Sequence, residues 1–151
     1  MPTHLEIVTM ERRVYSEDVD MVIAPGSEGE LGILPNHTPL LTHLKEGVLR
    51  VKRGGQEEAF AIGGGIMEVL PNKVIVMADA AEHSDEIDVA RAEQARERIE
   101  ALIKERPAGV DLDAALAALR RSQVRLKVAQ HRRRPGVPLQ TRPPAEGRGA
   151  A

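Results

Sequence analysis

Short apolar stretches separated by turn residues occupy residues 3–83. Several stretches alternate apolar and polar side chains, which is the period of a half-buried strand. Turn signals punctuate them at Pro25-Gly26, Arg53-Gly54-Gly55 and Pro71-Asn72. No helical pattern separates the strands, which disfavours a parallel α/β sheet. The pattern predicts a series of short strands in an antiparallel β-sandwich or barrel.

The period changes at Ser84, where apolar residues begin to recur at helical spacing. Ser84 is a suitable N-cap, and the acidic residues after it place negative charge in the first turn. Residues 106–109 (Arg-Pro-Ala-Gly) end this helix, and Asp111 can cap a second one that ends at Arg134. Because so short a turn forces the helices antiparallel, the sequence predicts a two-helix hairpin.

The expected fold class is β + α, an N-terminal antiparallel β-sandwich or barrel followed by a C-terminal antiparallel two-helix hairpin. The predicted sandwich is 1–83 and the predicted hairpin is 84–134. Residues 135–151 are rich in proline and glycine, and we expect them to be disordered.

Composition removes several classes of function. The chain has 151 residues, with Tyr15 and Phe60 as its only aromatic residues, so it lacks the stacking platform of single-strand nucleic-acid binders. It contains no cysteine, which excludes disulfide and thiol chemistry. No apolar run is long enough to span a membrane, and the N-terminus does not resemble a signal peptide.

Charge is distributed unevenly along the chain, although the formal net charge is only −2. Residues 1–83 hold 7 Lys/Arg and 13 Asp/Glu, whereas residues 132–151 hold 5 and 1. Residues 84–131 hold equal numbers of acidic and basic residues, with the acidic ones mostly in the first half and only basic ones near the end. This gradient suggests partners of both signs.

Catalytic and metal-site patterns are missing from the sequence. The five histidines do not combine into a metal-site spacing, and His37 is either a contact residue or a plain loop histidine. Residues 63–65 (Gly-Gly-Gly) lack the Lys-Ser/Thr of a phosphate loop, so we interpret them as a kink in a curved sheet. No nucleophile-elbow pattern occurs. We expect a protein that is not an enzyme on its own.

The second predicted helix carries a basic group of side chains, Arg120, Arg121, Arg125 and Lys127. It can be a solvated face, a surface that docks on an acidic protein, or a phosphate-binding face. Arg121 and Arg125 are four residues apart and share a face that could fork onto one polyphosphate.

The start of the first helix offers an acid and a base on one face, Asp88 and Arg91. An antiparallel hairpin would place them near Arg121 and Arg125. Such a group fits a nucleotide pocket, in which arginines hold phosphates and the carboxylate accepts from a base or ribose. A salt-bridge cluster explains the same residues, and the sequence leaves both interpretations open.

Three stretches resemble the epsilon subunit of bacterial F-type ATP synthases. They are residues 29–40 (GELGILPNHTPL), 60–69 (FAIGGGIMEV) and 80–98 (AAEHSDEIDVARAEQARER). The resemblance extends over residues 1 to about 131, and its order of sandwich and hairpin agrees with the pattern above. It implies a non-catalytic rotor subunit that couples ion-driven rotation to ATP synthesis.

The resemblance also implies partners and a location. The sandwich would contact the gamma subunit and the c-ring, partly through the loop that carries Glu28, Glu30 and His37. The complex would hold the protein peripherally on the cytoplasmic side of the cell inner membrane. No nucleic acid and no required cofactor are implied.

The hairpin, by the same resemblance, would have two positions. Folded on the sandwich it would permit ATP hydrolysis, and extended it would press Arg120, Arg121, Arg125 and Lys127 on an acidic segment of the catalytic head. Some family members bind ATP through an I/L-D-x-x-R-A motif, which is complete here, so ATP is an expected regulatory ligand. The implied ATP residues are Glu82, Ile87, Asp88, Arg91, Ala92, Arg98, Arg121 and Arg125.

Two further hypotheses remain at this point. Residues 132–134 (Arg-Arg-Arg) would strengthen the inhibitory contact electrostatically, or belong to an inert tail. The rival function is a β-domain adaptor whose basic hairpin binds nucleic acid, which the acidic sandwich and the scarcity of aromatic residues disfavour.

Overall fold

A computed structural model describes residues 2–105 and 108–130 of the chain. Within them the chain forms eight strands, a 3₁₀ turn at Ser84–Glu86 and two α-helices. The strands are β1 (Thr3–Val8), β2 (Arg13–Val19), β3 (Met21–Gly26), β4 (Gly29–Ile33), β5 (Leu40–Arg53), β6 (Gln56–Leu70), β7 (Lys73–Ala78) and β8 (Ala81–His83). The helices are α1 (Val89–Glu105) and α2 (Leu112–Ala129).

The strands form a β-sandwich and the helices contact each other after it, so the predicted fold is confirmed. The strand order is β2-β1-β7-β6-β5-β3-β4, with β8 paired to β6. One pairing, β1 with β7, is parallel, so the sheet is mixed rather than purely antiparallel. Strand direction between such distant segments is set by tertiary packing, and the local alternation of side chains contains no trace of it.

A corner in the β5–β6 hairpin divides the sandwich into its two layers. In β6 the side chains that join the sandwich core are Phe60 and Ile62 before the corner, and Met67 and Val69 after it, so the core-facing side changes parity. Gly65 lies at the corner with φ +140°, and an added Cβ there would collide with the carbonyl oxygen of Met77. The glycine run therefore bends the ribbon, as its sequence predicts.

Two apolar clusters stabilise the described part of the chain. The larger one fills the sandwich and includes Leu5, Leu49, Phe60 and Met67. The smaller one joins the hairpin to the outer surface of β5 and β6 through Ile87, Val128 and their neighbours. The sandwich thus has its own core, and a smaller apolar cluster packs the hairpin against it.

The junction between sandwich and hairpin differs from the prediction that Ser84 caps the first helix. His83 caps a short 3₁₀ turn, in which its Nδ1 accepts from the Asp85 N–H at 3.1 Å. Glu86 accepts two hydrogen bonds from Arg12, at 3.0 and 2.8 Å, which hold this turn against the sandwich. The chain is extended at Ile87, and the true cap of α1 is Asp88, whose carboxylate accepts from the Arg91 N–H at 3.1 Å.

The second helix begins where the sequence predicts. Asp111 Oδ1 accepts from the backbone N–H groups of Asp113 and Ala114 at 3.1 and 3.2 Å. The helix is described to Ala129. Its predicted end at Arg134 and the predicted disordered segment 135–151 lie outside the described residues.

Candidate functional site

The C-terminal half of α2 packs on the sandwich through small and medium apolar side chains. Val128 is fully buried and Ala129 nearly so, while Val124 is partly buried beside them. They meet a surface formed by Ala59, Ala61, Val48 and Ile87. Because the opposing residues are mostly alanine and valine, the two elements approach closely but bury little apolar volume. We call this contact the base of the hairpin.

Beside the base, arginines of α2 face carboxylates of the sandwich. Arg125 Nη2 donates to Glu82 Oε2 at 3.1 Å, and its Nε lies 3.0 Å from Glu82 Oε1. Glu46 lies between two looser partners, 3.9 Å from Arg121 Nη1 and 4.0 Å from Arg120 Nε. One ion pair is therefore tight and partly buried, while the other two are loose.

A small cavity lies between these ion pairs. Its volume is about 60 Å³, and its charged lining consists of Glu46, Glu82, Arg121 and Arg125. Pockets that enclose a drug-sized ligand are usually about 300–1,000 Å³. In this arrangement the cavity accommodates water or a small ion, and a nucleotide would require α2 to move outward.

The residues that the sequence assigns to ATP have different environments in the structure. Glu82, Arg121 and Arg125 line the cavity, whereas Ile87 and Ala92 are buried apolar contacts. Asp88 is occupied as the cap of α1.

Arg91 and Arg98 lie exposed on α1. The Arg91 N–H donates to Asp88 and Arg98 Nε donates to the Gln94 carbonyl, so their hydrogen bonds within the described segments stay in their own helix. No ion pair joins α1 to Arg121 or Arg125 among the described residues.

Glu46 is the member of this cluster that the sequence analysis missed. It follows Lys45 in β5 and belongs to no motif. In the β5–β6 pair its partner is Gly63, which has no side chain to cover it. Its position opposite α2 comes from the corner in the ribbon, and the local sequence contains no signal for that.

The predicted partner-contact residues of the sandwich lie outside this cluster. Glu28 and Glu30 line an open cleft of about 560 Å³ between the β3–β4 turn and the start of β5. Glu30 pairs with Arg50 at 3.0 Å, and His37 Nδ1 lies 2.7 Å from the Thr38 carbonyl oxygen. Leu41, which also lines the cleft, is 68% exposed.

Tyr15 of the sandwich and Glu86 of the 3₁₀ turn have shifted pKa values. The hydrogen bond from Arg12 lowers the pKa of Glu86 below its usual value, and the N–H of His83 acts in the same direction. Burial, together with the hydrogen bond that Tyr15 donates to Glu58 at 2.8 Å, raises the pKa of Tyr15. Both groups stabilise the region where the hairpin joins the sandwich.

The described segments contain no cluster of potential metal ligands and no helix that meets the length and apolarity needed to cross a membrane.

Two family models match consecutive parts of the chain. The ATP synthase delta/epsilon chain beta-sandwich domain matches residues 2–84, and the delta/epsilon chain long alpha-helix domain matches residues 85–130.

Similar proteins are ATP synthase epsilon chains. The one from Herpetosiphon aurantiacus is 56% identical over 133 residues, which cover 88% of this chain and 98% of that protein. The one from Chloroflexus aggregans is 52% identical over 130 residues, 86% of this chain and 94% of that protein.

Two solved assemblies contain chains of similar fold. A chain of the Euglena gracilis mitochondrial ATP synthase has a TM-score of 0.73 at 25% identity, over 86% of this chain and 82% of that one. A chain of the Tetrahymena thermophila central stalk and c-ring has a TM-score of 0.55 at 17% identity, over 86% and 95%.

Proposed function

The chain belongs to the ATP synthase delta/epsilon family, as a non-catalytic epsilon subunit of the F-type central stalk, and we propose that its hairpin is a mobile arm that inhibits ATP hydrolysis. The observation that carries this proposal is the narrow base of the hairpin. A few small apolar side chains, centred on Val128, and the ion pairs beside them attach the arm to a sandwich that has a core of its own. An arm held this way can leave without unfolding the sandwich.

In this proposal the sandwich couples rotation to the catalytic head. It contacts the gamma subunit and the c-ring, and both His37 and the cleft that Glu28 and Glu30 line belong to the ring-side surface. The exposed apolar side chain of Leu41 in that cleft supports a buried contact in the assembly. The complex holds the subunit peripherally at the cytoplasmic side of the inner membrane.

Release of the arm would free its basic side chains. Arg120, Arg121 and Arg125 face carboxylates in the docked position, and Lys127 lies exposed on the same helix. After release these side chains would meet an acidic surface on the alpha/beta catalytic head and stop hydrolysis. The free energy of the new contact must exceed that of the base for the extended position to dominate.

ATP is the proposed regulatory ligand of the docked arm. Arg121 and Arg125 already flank a cavity, and the Glu82 carboxylate lies beside them to accept from a base or ribose. Once α2 has moved outward to admit it, a bound nucleotide would link the helices and keep the hairpin on the sandwich. At an ATP concentration equal to the dissociation constant this linkage is worth only about 0.4 kcal/mol, and at one hundred times that concentration about 2.7 kcal/mol.

Two measurements test the proposal. Calorimetric titration of the isolated chain with MgATP should show saturable binding that an Arg91→Ala, Arg125→Ala double variant loses. Hydrolysis by the assembled enzyme should increase when the chain is truncated after Glu86, because the sandwich remains and the arm is gone. Equal hydrolysis with and without the arm would refute inhibition, and no heat of binding at millimolar ATP would refute ATP sensing.

The basic segment 132–134 lies outside the described residues, and its role in the inhibitory contact with the catalytic head stays a prediction. Neutralising those three arginines should weaken inhibition, whereas deleting residues 135–151 should not. Unchanged hydrolysis in both variants would make the segment an inert extension.

A further inference from the structure

Glu46 is placed where it can hold the arm by charge. Its side chain is 27% exposed and lies in β5 opposite Gly63, so no cross-strand side chain separates it from α2. One carboxylate oxygen approaches Arg121 and the other approaches Arg120. Its Oε2 is buried and has no hydrogen-bond partner in the described part of the chain. A buried carboxylate oxygen without a donor is costly.

We propose that Glu46 is an internal substitute for the acidic surface that the released arm would grip. It occupies Arg120 and Arg121 in the docked position and so competes with that partner for them. This inference rests on the proposed inhibitory function. It states that one carboxylate of the sandwich shifts the equilibrium between the docked and released positions of the hairpin.

The geometry of the pairs supports a releasable contact. At 3.9 and 4.0 Å the Glu46 pairs are longer than a charge-assisted hydrogen bond, and Arg121 and Arg120 are 52% and 63% exposed. Long pairs whose arginines are mostly exposed are weak and are screened by salt. Arg125, by contrast, makes a close, partly buried contact with Glu82. Glu82 therefore fixes the register of the docked helix, while Glu46 adjusts how easily it leaves.

Removing the charge of Glu46 should shift the arm in a defined direction. Glu46→Gln keeps the size of the side chain but no longer attracts the two arginines. At low salt the docked-to-released ratio of the isolated chain should fall about threefold, which corresponds to the loss of a weak ion pair. High salt should reduce the difference between variant and parent. In the assembled enzyme the same variant should hydrolyse ATP more slowly, because more arms are free to inhibit.

The docked fraction can be measured by energy transfer between two labels. The chain contains no cysteine, so Lys52→Cys on the sandwich and Glu97→Cys on α1 provide unique attachment sites. The matched control is Glu57→Gln. Glu57 is 34% exposed and pairs with Arg50 at 3.6 Å on the sandwich, so its loss removes one acid of similar exposure without touching the arm.

Each result has a distinct meaning. A lower docked fraction with Glu46→Gln, unlike Glu57→Gln, together with slower hydrolysis, supports the inference. Equal docking in the two variants overturns it, even if the arm inhibits. A lower docked fraction with unchanged hydrolysis overturns the competition and, if truncation after Glu86 is also without effect, the inhibitory function itself.

Discussion

Val128 offers the sharpest test of how the arm is attached. Its side chain is fully buried in the base of the hairpin, against Ala59, Ala61 and Ile87. Val128→Ala removes two carbon groups that are each worth about 0.8 kcal/mol of transfer free energy, and the small cavity left behind adds to the loss. We expect docking to weaken by about 2 kcal/mol. Since 1.4 kcal/mol is a factor of ten, the docked-to-released ratio should fall roughly 30-fold.

The labelled pair at positions 52 and 97 reports this ratio directly. Val74→Ala is the matched control, because Val74 is equally buried but belongs to the core of the sandwich. It should lower the free energy of global unfolding by a similar amount and leave energy transfer unchanged at temperatures where the sandwich is folded.

In the assembled enzyme Val128→Ala should give stronger inhibition of hydrolysis than Val74→Ala. Two results would contradict the reasoning. If Val128→Ala lowers only the global unfolding free energy, with no change in energy transfer, the arm and sandwich form one cooperative unit. If both valine variants release the arm equally, the base is not what holds it.

Three other predictions concern the sandwich and the junction. Tyr15 is the only tyrosine, and because its pKa is raised in the folded state it stabilises the fold below pH 10.0 and loses that contribution as the pH rises. In a spectroscopic pH titration the absorbance of the phenolate should therefore appear only as the protein unfolds, and not at pH 10.0 in the folded state. Because the pKa of Glu86 is lowered in the folded state, Glu86 contributes stability above pH 4.5 that is lost as the pH falls further. In thermal unfolding below pH 4.5, Glu86→Gln should therefore lose less stability with falling pH than the parent does. The difference should be less than about 1 kcal/mol, because the pair with Arg12 is half exposed. Gly65→Ala should cost about 2–4 kcal/mol of unfolding free energy in denaturant titrations, because its Cβ meets the backbone of β7 at a positive φ, whereas Gly32→Ala, whose Cβ meets only the end of a flexible side chain, should be much milder.

Patterns that repeat within a few residues were predictable from sequence. The alternation in the first half predicts the strands, Asp111 predicts the start of α2, and the glycine run at 63–65 predicts the kink. The start of α1 was not predictable, because the turn at Ser84–Glu86 depends on Arg12, which is more than seventy residues away in the chain. The site divides in the same way. Arg121 and Arg125 follow from helical spacing, but Glu46 reaches them only through the folded ribbon.

The parallel pairing of β1 with β7 constrains the order in which the chain can fold. His4 to Val8 align with Lys73 to Met77, so the sheet closes around a loop that contains nearly the whole sandwich. Closing so long a loop costs more chain entropy than forming the adjacent β5–β6 hairpin. During synthesis β1 must therefore wait for β7 to leave the ribosome, and a chain interrupted before residue 73 exposes an unpaired strand edge.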